Sequence, residues 1–155
     1  EGFIIKNLFL IIVIAAIAYG VNQQKSSPTK STSSSQSTSS SRSSNSDQTL
    51  QNAFRNKQSD LQVTGSGSVI KILPDDTKGS KHQKFILKLS TGQTVLIAHN
   101  IDLAPRINSL RQGDTVSFNG EYEWNSKGGV IHWTHHDPGH RHEDGWLKHN
   151  GKVYK

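Results

Sequence analysis

The sequence predicts a small all-β domain, a five-stranded OB-like barrel with a short helix in front of it. Three observations carry that expectation. From Gln62 onward apolar residues recur with a period of two, in five short runs divided by turn-forming residues. The first run is long and contains Gly65 and Gly67, which permit a bend, and a helical or turn segment separates the third run from the fourth.

Ahead of the domain the chain divides into three segments. In residues 1–21, Lys6 and Asn7 precede an unbroken apolar run from Leu8 to Val21, with Ala16 and Ala18 spaced as at an export cleavage point. A basic start, an apolar stretch and small residues describe a signal peptide or, uncleaved, a signal anchor. Residues 22–46 follow, and from Ser26 to Ser46 sixteen of twenty-one residues are Ser or Thr. So little apolar surface cannot offset ordering entropy, which predicts a disordered linker. Asp47 then reads as the N-cap of a short helix within 47–61, with Leu50, Ala53 and Phe54 on one stripe.

The strands of the domain, residues 62–155, follow in order. Gln62 to Leu73 is the long first strand. Phe85, Leu87 and Leu89 alternate with polar neighbours in the second, and Thr91-Gly92 turns the chain into the third, Gln93 to Ala98. Ala104 to Leu110 is the helical or turn segment after Pro105. Gly113-Asp114 opens the fourth strand, where Val116, Phe118, Gly120, Tyr122 and Trp124 share one face and Ser117, Asn119, Glu121 and Glu123 the other. Asn125 to Gly129 is a hairpin turn, and Val130 to Thr134 is the fifth strand.

Composition narrows the chemistry. The formal charge of +6 divides into six Lys/Arg against three acids in residues 1–61 and twelve against nine in 62–155. A domain of such weak basicity is a poor polyanion binder, so nucleic acid is a secondary candidate. Cysteine is absent, which excludes disulfides, thiolate metal sites and a cysteine nucleophile.

Six of the eight histidines fall between His132 and His149. Imidazole is the commonest protein metal ligand, and His132 on the fifth strand can converge with His135 or His136 where that strand ends. The Pro138-Gly139 turn would return Asp137, His140 or His142 to the same point. These six residues are the expected ligands of a divalent transition metal such as zinc. His99, Arg106, Trp133 and Trp146 are the expected ligand-binding residues around them. The competing expectation is that the histidines are ordinary hydrogen-bonding groups locking the C-terminal tail to the barrel. A hydrolytic use would take His99 with Asp102 or Asp114, or His136 with Asp137, as a general base, and Arg106 or Arg141 for a phosphoryl group. No catalytic residue is assigned. A stacking platform of Phe118, Tyr122, Trp124 and Trp133 flanked by Lys84, Lys88 and Arg111 would suit a single strand. The first three of those aromatics are in phase with Val116, which predicts core.

The strings Lys81-His-Gln-Lys-Phe-Ile-Leu87, Ile97-Ala-His-Asn-Ile-Asp-Leu-Ala-Pro-Arg106, Gly120-Glu-Tyr-Glu-Trp-Asn125, Gly129-Val-Ile-His-Trp-Thr-His-His-Asp-Pro138 and Gly145-Trp-Leu-Lys-His-Asn-Gly-Lys-Val-Tyr154 resemble the bacterial family catalogued as domain of unknown function 3465. The resemblance covers about residues 62–155. It implies a small bacterial protein with an N-terminal export segment and no established activity. The family's Gly-Arg-His after Asp-Pro reads here Gly139-His140-Arg141-His142, one histidine longer.

Together these readings predict an exported binding module, periplasmic or at the cell surface and tethered to the inner membrane if the signal is uncleaved. Its ligand is a polymer or a small molecule. A metal-dependent, nuclease-like hydrolase and a structural surface component are the alternatives.

Overall fold

The computed structural model describes residues 38–155, with side chains from residue 45 onward. The apolar segment 1–21 and the linker as far as residue 37 lie outside the described residues. Among the described residues no helix is long and apolar enough to cross a membrane.

One helix, α1 (Thr38–Arg55), precedes seven strands: β1 (Leu61–Ile72), β2 (His82–Lys88), β3 (Thr94–Asn100), β4 (Thr115–Glu123), β5 (Val130–His132), β6 (Trp146–His149) and β7 (Lys152–Tyr154). The first five form the expected barrel. They run in the order β1-β2-β3-β5-β4, β3 and β5 are parallel, and β1 closes the ring by pairing with β4. This is the strand order of an OB barrel.

β1 manages closure by serving two neighbours. Leu61 to Ser68 pair with β4, and Ser68 to Ile72 pair with β2 through a bulge between Val69 and Lys71. The glycines sit where the strand changes partners. A Cβ at Gly65 would lie 2.7 Å from the Phe118 ring, and one at Gly67 would lie 2.8 Å from the Lys88 carbonyl oxygen. Any larger residue would hold the strands apart at the point where they must converge.

The period-two pattern becomes the core. Phe85, Leu87, Ile97, Phe118, Tyr122 and Ile131 point inward and are fully buried, each stabilising the domain by roughly 1.5–3 kcal/mol. Tyr122 keeps its hydroxyl satisfied by donating to the Gly128 carbonyl at 3.2 Å. Gln83 is the polar exception in the interior. Its amide donates to the Ile107 carbonyl at 3.0 Å and accepts from the Ile107 amide at 2.9 Å, tying the loop after β3 across the barrel. That loop is turns without a helix, and Gln83 satisfies the Ile107 amide and carbonyl within it.

Three elements differ from expectation. The helix begins at Thr38, so Asp47 lies mid-helix; its buried carboxylate accepts from the backbone amide and the hydroxyl of Ser90 instead of capping its own helix. β5 stops at His132, because Trp133 takes a left-handed backbone, φ 51°. The C-terminal tail is a hairpin: Asn150 and Gly151, at φ 48° and 79°, make the two-residue turn that joins β6 to β7.

That hairpin sets the stage for the histidines. β5 pairs with Glu121–Glu123 of β4, and β6 pairs with Val116–Asn119 along the same edge. The intervening loop, residues 133–145, therefore leaves β4 and returns to it, anchored at both ends.

Candidate metal centre

On the outer face of β4, Glu121 and Glu123 stand two residues apart and point the same way, as a strand requires. Antiparallel pairing places His132 of β5 directly opposite Glu121. The His132 Nε2 lies 3.3 Å from Glu121 Oε1 and 3.7 Å from Glu123 Oε1. All three ligand atoms fall within 4.8 Å of one another. The Nε2 is shielded from solvent yet makes no well-formed hydrogen bond. A buried ring nitrogen without a well-aligned partner is costly, and Glu121, though within reach at 3.3 Å, does not meet it squarely.

Burial also holds the His132 pKa below its ordinary value, against the pull of Glu121. The favoured form is then the neutral ring, the form that ligates metals. Glu123 is pushed upward by burial, with the nearby acids Asp60 and Glu121 adding to the shift.

His142 completes the group from the loop. Its Nδ1 donates to the Glu143 carbonyl at 2.8 Å, and its Nε2 meets the other oxygen of Glu121 at 2.5 Å. Burial draws its pKa down, but the bond to Glu121 and the Glu143 carbonyl outweigh it, so the net shift is upward. Its Nε2 contact fixes the Glu121 carboxylate in place. Trp133 stacks on its ring at 4.3 Å and 8°. The left-handed conformation of Trp133 costs about 1–3 kcal/mol and turns the indole out of strand register into that stack.

The other expected ligands have different partners. His135 donates from Nδ1 to the His136 carbonyl, 2.8 Å. His136 pairs with Asp144 at 2.6 Å, and His140 approaches it edge-on at 5.3 Å. Asp137 is an internal cap for the loop, accepting from the backbone amides of Gly139, Arg141 and His142 at 2.7–2.9 Å. The Arg141 amide first, then those of Gly139 and His142, hold its pKa down to about 2.

The expected ligand-binding residues also separate. His99 is fully buried and structural: its Nε2 donates to the Pro105 carbonyl at 3.2 Å, so its Nδ1 accepts from the Thr134 hydroxyl at 2.8 Å. Arg106 makes a two-point contact with Asp75 at 2.8 and 3.2 Å. Trp146 starts β6 opposite Asn119. Trp133 alone of the four lies beside the cluster. Glu121 and Glu123 are absent from the sequence-derived set, although an outward Glu-Tyr-Glu leading through a hairpin to His132 is a readable signal.

The Asp137 cap makes a prediction. Its folded pKa lies below the ordinary 3.8, so its stabilisation is present above about 4 and lost as pH falls toward 2. Asp137→Asn is expected to lower the melting temperature at pH 7 by on the order of 5 °C, and to flatten acid unfolding between pH 4 and 2. Melting curves matching the parent at both ends of that range would refute the capping role.

Residues 33–155 match the family model described as Protein of unknown function (DUF3465). No curated protein matches the chain.

Proposed function

The chain belongs to the DUF3465 family, and since that membership carries no activity, we propose from the geometry that it is a small-barrel binding module holding a divalent transition metal on Glu121, Glu123 and His132. His142 is the residue that orients Glu121. The observation carrying this reading is the shielded His132 Nε2, without a well-aligned hydrogen bond, facing two carboxylates.

The spacing supports it. Tetrahedral zinc with bonds of about 2.1 Å places its ligand atoms about 3.4 Å apart, and the two histidine-to-carboxylate distances are 3.3 and 3.7 Å. One nitrogen and two carboxylate donors suit zinc, with a fourth position for water or a ligand atom. Carboxylates that ligate a metal are themselves held by hydrogen bonds, and His142 holds Glu121 in this way. The apolar run Leu8–Val21 and the Ser/Thr-rich stretch after it support display outside the cytoplasm. This reading assigns no reaction.

The test is direct titration of the metal-free chain with zinc at pH 7.5, followed by calorimetry and elemental analysis. One equivalent is expected to bind. Binding should weaken as pH falls below the ordinary imidazole value toward the lowered pKa of His132, where protons compete for its nitrogen. Absence of stoichiometric zinc, copper or nickel after dialysis would overturn the reading.

A further inference from the structure

On the opposite side of His132 from the two glutamates the outer surface of the barrel dips. The floor of the dip is Ala98, the small outward residue of β3 that lies across from Lys84 of β2. A cleft of about 290 Å³ opens there, its walls including His82, Asn100, Leu103, Trp133 and His135 as well as His132. Not one of its eight lining residues is Asp, Glu, Lys or Arg, in a chain of which 19% is charged.

The polar atoms of the walls have definable roles. His82 Nδ1 lies 2.8 Å from the Ser80 carbonyl and His135 Nδ1 lies 2.8 Å from the His136 carbonyl. A carbonyl only accepts, so both Nδ1 atoms carry the proton, and in the neutral rings both Nε2 atoms are acceptors. Asn100 Oδ1 accepts from the Asp102 amide at 2.9 Å, which leaves its NH₂ group to donate. Trp133 adds an indole held out of strand register by its left-handed backbone, with His142 stacked against its ring.

This combination selects a ligand class. Among the lining residues an anion would meet no cationic side chain and a cation no carboxylate. Hydroxyl groups both donate and accept, so they match acceptors and a donor set around one cleft. Trp133, one face of which is covered by His142, adds apolar indole surface to the lining for the C–H groups of a sugar. A volume near the lower limit of about 300 Å³ for small-molecule pockets holds one ring and not a chain. We propose that the Ala98 cleft is a binding site for a neutral polyhydroxylated ring, a single unexceptional pyranose unit, free or at the end of a glycan. The inference does not depend on metal at the glutamate cluster, although the two sites share His132 as a wall.

The experiment is nitrogen-15 NMR titration of the full chain at pH 8 with glucose, N-acetylglucosamine and, as a charged probe, inorganic phosphate. At least one sugar is expected to shift the backbone signals of Ala98 and Asn100 and the Trp133 indole signal saturably, with Kd on the order of 1 mM, as befits about a dozen heavy atoms. Phosphate leaves those signals in place. Ala98→Leu fills the floor and weakens sugar binding at least about tenfold, with zinc affinity unchanged. Asn100→Asp keeps the acceptor for the Asp102 amide, removes the donor, and weakens binding in the same direction. The proposal is overturned if neither sugar shifts these signals, if phosphate binds there in their place, or if both variants bind sugar as the parent does.

Discussion

Replacing His132 with alanine is expected to lower zinc affinity by more than about 100-fold, whereas His136→Ala should leave it within about threefold. The first figure follows because even outer supports of a metal ligand are worth about 10- to 100-fold, and His132 supplies the only nitrogen of the three-atom group. The second follows from position: His136 has its Nδ1 on Asp144 at 2.6 Å and no contact with Glu121 or Glu123. His142→Ala should fall between them, because it frees Glu121 without deleting a ligand. Calorimetric titration of the three variants distinguishes the glutamate centre from a diffuse histidine-rich site. Equal losses for His132→Ala and His136→Ala would mean that the metal sits on the loop instead.

The second large effect is acid destabilisation through His99. Burial presses its pKa from 6.5 down to about 4, with the neighbouring imidazoles His135 and His82 adding to the shift and the Pro105 carbonyl and Thr134 opposing it. The unfolded chain therefore takes up a proton near pH 6.5 that the folded chain refuses until about 4. Stability is complete above 6.5 and is lost as pH falls through that interval, by on the order of 3 kcal/mol at pH 4. Urea unfolding at pH 7 and pH 4.5 measures it. His99→Gln retains a donor for Pro105 and an acceptor for Thr134 but cannot titrate, so its stability should change less over the same interval. An unchanged pH slope in that variant would show that another group is responsible.

The barrel was legible because each strand's pattern of inward Phe, Leu, Ile and Val is enforced by the core itself. Val116, Phe118 and Tyr122 fell on the buried face as their phase required. The site was less legible, for reasons that can be named. Glu121 and Glu123 look like any solvated strand face until the register puts His132 opposite Glu121. Nothing in sequence marks Trp133 as left-handed, since an aromatic residue is a poor occupant of that conformation. That one dihedral ends β5 at His132, so Thr134 binds His99 instead of continuing the strand beside it. Asp47 had the right side chain for a cap, but a tertiary partner, Ser90, claimed it. The Asn150-Gly151 pair, by contrast, was a plain hairpin signal in a segment read only as a C-terminal tail.

The terminal hairpin has a role beyond positioning the loop. β4 outruns β5, so without β6 the backbone from Val116 to Asn119 would present unpaired amides and carbonyls beside an apolar interior. Such a rim is a template for sheet growth between molecules. The hairpin covers it and substitutes β7, a three-residue border with Lys152 and Lys155 at its ends. Short, positively charged borders resist edge-to-edge stacking. The β6–β7 hairpin thus replaces a long open rim with a short, charged border.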